Sequence, residues 1–402
     1  MQLNIDPVLL GKRLAEARKA RGITQEDAAA KISCSRPTFI AIEKGIRLPK
    51  SEELVKLADL YGRSVHTLVR PAESGKVSFE LPPHFRAATG HTVISAKELE
   101  DVTVSYQKFV EDYCELETIH KTPLRKNYPP VLSFSNIRHT DHLAESIAAQ
   151  ERVRLGLGDQ PVYDLRNILE REVGLRIFYD DLPSRIAGMF SYNDEVGGVV
   201  VVNRKQPQER RRLSIMHEYG HLIRDRYMPG IDYIDQPGNK GAEERFADKF
   251  AVSFLMPTSA IQRYFYHVVE QTNDFQIADL FRMAHFFYVS LEAIANRLVD
   301  MRLINDGVID HIHRAGKKNR DLKSNLNLSP HENDNQAFSN RYISLAVRAY
   351  EEEKISIGQL AGFLRTDKVD ARNIVQEYTT CDNNELFCEM IKSSKELVSL
   401  LK

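Results

Sequence analysis

Three things are scarce in this sequence, and each scarcity excludes something. No apolar run approaches the roughly 18 residues that a membrane-crossing helix needs, and the first residues hold no apolar signal core. Neither a membrane span nor a secretion leader is expected. Only four cysteines occur in 402 residues: Cys34, Cys114, Cys381 and Cys388. They are scattered, and Cys381 and Cys388 lack the short spacing of a zinc knuckle. Free thiols in a reducing cytoplasm are therefore expected rather than a disulfide framework. Charge of one sign is also lacking: the formal net charge is −1, so the whole chain is not a general polyanion binder.

With 42% hydrophobic and 28% charged residues, the chain reads as a soluble globular protein. Its length suits two or three domains. The N-terminal part departs from the average. Residues 1–73 hold 13 Lys and Arg against 9 Asp and Glu, a modest lean toward a polyanionic partner.

That N-terminal part is punctuated like a bundle of short helices. Asp6-Pro7 opens the first helix, with Leu10, Leu14 and Ala17 on one face, and Gly22 ends it. Thr24-Gln-Glu-Asp27 has the form of a capping box with Asp in the last place. Ser33-Cys34 makes a turn, and Ser35 caps a third helix from Arg36 to Lys44 that Gly45 ends. Ser51 and Ser64 start two more, with Leu54, Leu57 and Leu60 facing inward in the fourth. Five short helices with a tight turn between the second and third describe a helix-turn-helix domain.

The centre of the chain carries His217-Glu218-x-x-His221. On a helix, the two histidines project from one face and can share one Zn²⁺, while Glu218 lies where it can take a proton from water. The alternative is a core helix with two hydrogen-bonded histidines and a surface glutamate. A third protein ligand is needed for a catalytic site. A histidine six residues after His221 is absent, because Tyr227 stands there. The helical run from Gly241 to Pro257 offers Glu243 and Glu244, and Glu244, three residues before Ala247, is on the side that packs. An ordinary acidic first turn remains the plainer account of both.

Before this motif, residues 175–180, 186–192 and 198–203 read as three strands of a small sheet. In zincins an edge strand before the metal helix can pair with an extended substrate. Gly188 would let another backbone come close, or simply mark a bulge. Helices are expected over 96–119, 141–157 and 161–170. His139 and His142 lie in a polar run and read as a loop or cap, not as ligands. Residues 314–340 read as a connector, followed by short helices at 341–350 and 357–364 and an amphipathic stretch over 381–401. No nucleotide-binding glycine pattern is present, so no small ligand is named.

Two resemblances sit on these residues. Thr24-Gln25, Ser35-Arg36 and Ile42-Glu43-x-Gly45 resemble the phage-repressor or Xre type of helix-turn-helix domain. That implies a recognition helix starting at Arg36, with Arg36 and Thr38 facing base edges and Gln25, Lys44 and Arg47 nearer phosphate. Pro37 is unusual so close to reading positions. Leu155-Gly-Leu-Gly158, Asp164-Leu-x-x-Ile-Leu-Glu170, Val202-Asn203, His217-Glu-x-x-His221, Glu244-x-x-Ala247-Asp-x-Phe250-Ala251 and Leu255-Met-Pro257 resemble the ImmA/IrrE metallopeptidase family. That family implies a bacterial or phage regulator whose peptidase domain, where active, cuts a repressor. It also implies His217, His221 and Glu244 as zinc ligands and Glu218 as the catalytic base. Tyr219 and Ser214-Ile-Met216 depart from the family pattern at packing positions. Tyr227 and Tyr233 are oxyanion donors by sequence proximity alone.

The expected architecture is α+β and mostly α. A five-helix helix-turn-helix domain spans 1–73, and a linker with one long helix spans 74–140. A zincin-like core with a three-stranded sheet spans 141–305. A helical, sensory or oligomerising region spans 306–402. The expected function is a cytoplasmic, DNA-binding regulator with a zinc metallopeptidase domain. Its expected partners are operator DNA, a protein substrate or repressor or toxin partner, and a second copy of the chain. The alternative is a transcription factor or antitoxin whose zinc domain is structural or ligand-sensing. A pure interaction scaffold is the third reading.

Overall fold

Local signals in the first helices settle their ends. In a computed structural model, which describes residues 7–20, 23–61, 65–69, 96–131, 140–226, 230–233, 241–310, 312, 314, 326–331 and 334–382, the chain divides into two compact units, 1–76 and 77–402. The first unit holds α1 (Pro7–Ala20), α2 (Gln25–Lys31), α3 (Arg36–Glu43), α4 (Ser51–Tyr61) and α5 (Val65–Val69). Thr24 and Ser35 cap α2 and α3, each accepting from the amide three residues on. Ser33 takes a positive φ of 55° in the turn between them. Leu14, Ala28, Phe39, Ile42, Leu57 and Tyr61 form the core. α1 and α3 cross where Gly11 meets the chain at Glu43: a Cβ at Gly11 would lie 2.5 Å from the Glu43 carbonyl oxygen.

The second unit is built around a sheet with a different core on each face. The strands are β1 (Arg176–Asp180), β2 (Ile186–Asn193), β3 (Gly197–Asn203) and β4 (Gly230–Tyr233), in the order β1-β3-β2-β4. The three expected strands are present, and β4 adds a fourth. β1 runs parallel to β3, whereas β2 is antiparallel to both β3 and β4. β3 is buried along its whole length and its valines alternate between the two cores. Val200 and Val202 face one, Val199 and Val201 the other.

On the first face lie α7 (Thr140–Arg154), α9 (Gln208–Asp225), α10 (Ala242–Leu255), α11 (Thr258–Thr272), α12 (Ile277–Phe287) and α13 (Leu291–Asp300). Met216, Tyr219, Leu222, Phe246, Phe250 and Phe254 fill the space beneath the sheet. On the second face, α6 (Ala96–His120) meets α14 (Asn340–Glu351), α15 (Ile357–Phe363) and α16 (Lys368–Asp382). Tyr106, Phe109 and Tyr113 of α6 share that core with Phe178, Phe338 and Tyr342. Segments more than 200 residues apart in the chain thus form one layer.

One expected element is shorter than its pattern. The helix read from Pro161 begins only at α8 (Leu165–Ile168) and continues as a π turn over Leu169–Val173. The carbonyls of Val162 and Tyr163 are instead taken by the buried guanidinium of Arg212. Gly174 then ends the turn at φ 90°, where a Cβ would strike the Arg125 carbonyl oxygen at 2.3 Å. The expected stretch 381–401 falls almost wholly outside the described residues, as does His139.

Candidate metal centre and helix-turn-helix face

The candidate metal-binding side chains come from two helices that touch through small residues. α9 is buried along most of its length, with Ile215, Met216, Tyr219, Leu222 and Ile223 in the core. Gly220 lies against α10: a Cβ there would stand 2.9 Å from the Ala247 Cα. This close approach brings His217 and His221 to the acidic end of α10.

His217, His221 and Glu244 each present a ligand atom, and all three atoms lie within 4.8 Å of one another. The two Nε2 atoms are 3.1 Å apart. Glu244 Oε2 is 3.3 Å from His217 Nε2, and Glu244 Oε1 is 3.6 Å from His221 Nε2. Bonds of about 2.0–2.2 Å at tetrahedral angles set donor atoms roughly 3.3–3.6 Å apart, so two nitrogens and an oxygen at these separations fit Zn²⁺. Glu243 turns away and pairs with Arg224 at 3.2 Å. The hydrogen bond from His217, aided by both imidazoles, holds the Glu244 carboxyl below the usual carboxylate range despite its burial.

His217 Nδ1 lies 3.0 Å from Asp248 Oδ1. An ionised carboxylate only accepts, so a proton on Nδ1 satisfies this contact; in the metal-binding tautomer that proton stays, and Nε2 gives up its hydrogen bond to Glu244. Sequence reasoning assigned Asp248 no role. Its signal was its place one turn after Glu244, on the same helix face.

Glu218 is buried, at 1% exposure. Gly188 of β2 lies over it: a Cβ at Gly188 would sit 2.7 Å from Glu218 Oε1. The glycine therefore leaves room for the carboxylate beneath the strand. Tyr219, which departs from the family pattern, is fully buried. Its hydroxyl donates to Glu151 of α7 and accepts from Arg154 at 3.2 Å. Burial, reinforced by Glu151, pushes its ionisation well above the ordinary range, so it is a neutral tie between α7 and α9. Arg152 adds a second tie, donating to the carbonyl of Phe254 at 2.6 Å. Tyr227 lies outside the described residues, and Tyr233 is placed only as the backbone of β4.

In the first unit, Arg36 and Lys44 are exposed at the two ends of α3. The other residues expected at DNA are engaged within the unit. Gln25 Nε2 donates to Glu43 Oε2 at 2.7 Å, and Glu43 also pairs with Arg18 at 2.7 Å. Arg47 pairs with Glu53 at 2.9 Å. The Thr38 hydroxyl is 2.8 Å from that of Ser35, the cap of α3.

Comparison with known proteins agrees with this division. Residues 9–70 match the family described as a helix-turn-helix domain, and residues 170–299 match the peptidase family described as an IrrE N-terminal-like domain. The HTH-type transcriptional regulator ImmR of Bacillus subtilis is 39% identical over 67 residues, which are 17% of this chain and 53% of the relative. The cryptic phage CTXphi transcriptional repressor RstR of Vibrio cholerae is 33% identical over 66 residues, 16% of this chain and 60% of the relative. The matched stretches thus span little more than half the length of these curated relatives. The crystal structure of ComR from Streptococcus suis aligns over 97% of this chain and 96% of its own at 12% identity, with a TM-score of 0.16. The chain joins a helix-turn-helix domain, similar to those of transcriptional regulators, to an IrrE N-terminal-like domain of a peptidase family.

Proposed function

We propose that the protein is a cytoplasmic, DNA-binding transcriptional regulator whose second unit is a zinc-dependent endopeptidase acting on one partner protein. The observation that carries the peptidase reading is the donor triangle of His217, His221 and Glu244, with the Glu218 carboxylate buried beside it under Gly188. When bound, zinc supplies Lewis acidity toward water and a peptide carbonyl. Glu218 takes a proton from the attacking water and delivers it to the departing amine. Asp248 keeps His217 in the tautomer that leaves Nε2 for the metal. The buried ties through Tyr219 and Arg152 hold the helices still around these groups.

For the first unit, Arg36 and Lys44 are the exposed cations of the recognition helix and its end. Gln25, Thr38 and Arg47 reach DNA only by exchanging internal partners. One such module reads a half-site, so a homodimer on a two-fold operator is the expected complex. Arg36→Ala should weaken operator binding and relax preference at one base pair, while Lys44→Ala should weaken all sequences alike and flatten the salt dependence. Equal loss of sequence preference in both variants would remove Arg36 from base reading.

The peptidase is tested with wild type, Glu218→Gln and His217→Ala, measuring zinc content and cleavage of a co-encoded repressor. Zinc near one per chain in the first two, with cleavage by wild type alone, is expected. Zinc in both and cleavage in neither would favour the second reading, a regulator whose metal is structural or sensory.

A further inference from the structure

β2 is the strand that borders Glu218, through Gly188. It has β3 on one side and β4 on the other. β4 runs antiparallel to β2, with Asp232 opposite Gly188, Ile231 opposite Met189 and Gly230 opposite Phe190. The main-chain positions beside the proton-accepting carboxylate are therefore taken by the chain's own backbone. An extended peptide brought to Glu218 by strand addition needs that same edge, because such docking works through main-chain hydrogen bonds to an unpaired strand.

The pairing of β4 is short and irregular. It covers four residues, Gly230–Tyr233, and its register with β2 shifts between Ile186 and Gly188. A bulge of this kind leaves a residue out of the ladder, and a short two-strand pairing is marginal by itself.

β4 also lies within the connection from α9 to α10, and that connection is closed at its base without β4. Arg224, near the end of α9, donates to the Ala242 carbonyl at 2.6 Å and to Glu243 at 3.2 Å. Arg226 donates to the Leu222 carbonyl at 3.1 Å and to that of Pro129. The ties that hold α9 to the start of α10, and so His217 and His221 near Glu244, are thus made by residues outside β4.

We infer that β4 is a cover strand: it fills the peptide-docking edge of β2 in the free protein, and an extended segment of the protein substrate replaces it to reach Glu218. This rests on the peptidase reading above and adds its regulation. A partner that pairs with β2, or that draws β4 away, switches the site on.

The test uses the full chain with one equivalent of Zn²⁺, comparing wild type, Ile231→Pro and the control Ile231→Val. Proline removes a ladder donor and does not fit inside a paired strand. The readouts are hydrogen exchange of residues 186–193, zinc content, and binding of a labelled synthetic peptide with the sequence of residues 227–236. In Ile231→Pro, exchange of β2 and affinity for the peptide should each rise about tenfold, the weight of one or two backbone hydrogen bonds. Zinc should stay at one per chain. Unchanged exchange would show that β4 does not protect the edge, and faster exchange with unchanged peptide affinity would show that the edge is no docking site. Either result overturns the inference. If Ile231→Pro loses zinc, Ile231→Gly, which only weakens the strand, is judged by the same two criteria. Cleavage of the co-encoded repressor is followed in parallel. Faster exchange and tighter peptide binding with no cleavage in any form would sink the peptidase reading and leave the cover strand standing.

Discussion

His217 and Asp248 meet across two helices, with Nδ1 of the imidazole 3.0 Å from the carboxylate oxygen. The contact favours a proton on Nδ1, the tautomer that leaves Nε2 for a metal. Asp248 is half-exposed, so its removal should cost the fold little. Asp248→Ala should weaken zinc binding by about 10–100-fold with a nearly unchanged melting temperature. Competition with a chromophoric chelator measures the first, and a thermal scan the second.

Gly220 sets the distance between the helices that carry His217, His221 and Glu244. A Cβ there would press on the Ala247 Cα, a backbone atom that cannot swing aside. Gly220→Val should destabilise the second unit by about 1–3 kcal/mol through overpacking. It should also lower zinc affinity, because Glu244 sits one turn before Ala247. Urea titration with and without zinc separates the two losses.

Arg18 and Glu43 form a nearly buried pair in the first unit, with side-chain exposures of 10% and 7%. Arg18→Ala leaves the Glu43 charge without its guanidinium and should cost that unit about 3–5 kcal/mol. The second unit has its own cores, so zinc content should not change. Two-step unfolding by calorimetry, with only one step moved, is the expected result.

Asp112 on α6 is buried, at 2% exposure, beside the Lys108 ammonium. Burial raises its pKa to about 6, against the pull of Lys108. Folding therefore favours the protonated carboxyl over the ionised one. Its contribution to stability is complete below the unfolded value of 3.8 and fades as pH climbs through about 6. Two pKa units amount to about 3 kcal/mol. Asp112→Asn should lack this slope, so the stability of wild type relative to the variant should fall between about pH 4 and pH 7. Urea midpoints across that range check the sign.

The elements that were legible in the sequence are those fixed by neighbours a few residues away. Thr24 and Ser35 cap the helices they precede, and the alternation in 175–203 gives three strands with their bounds nearly right. His217, His221 and Glu244 sit on helices read from their own periodicity, and they converge. What escaped depends on distant partners. β4 is only four residues long, too short for its pattern to mark a strand, and pairs with β2. Residues 161–164 have a helical pattern, yet Arg212, some fifty positions later, claims two of their carbonyls. The role of Asp248 required knowing which helix faces α10. The shared layer of α6 with α14–α16 required pairing residues that no local pattern links.

That shared layer bears on how the chain responds to cutting. Phe338 stacks on Tyr342 at 4.4 Å, and both ring systems lie against Phe178 of β1. The helices after residue 339 are thus the floor of the sheet and not an appendage. A protease nick between α13 and α14 should leave the two fragments bound to each other as a reconstituted whole, released only by denaturant.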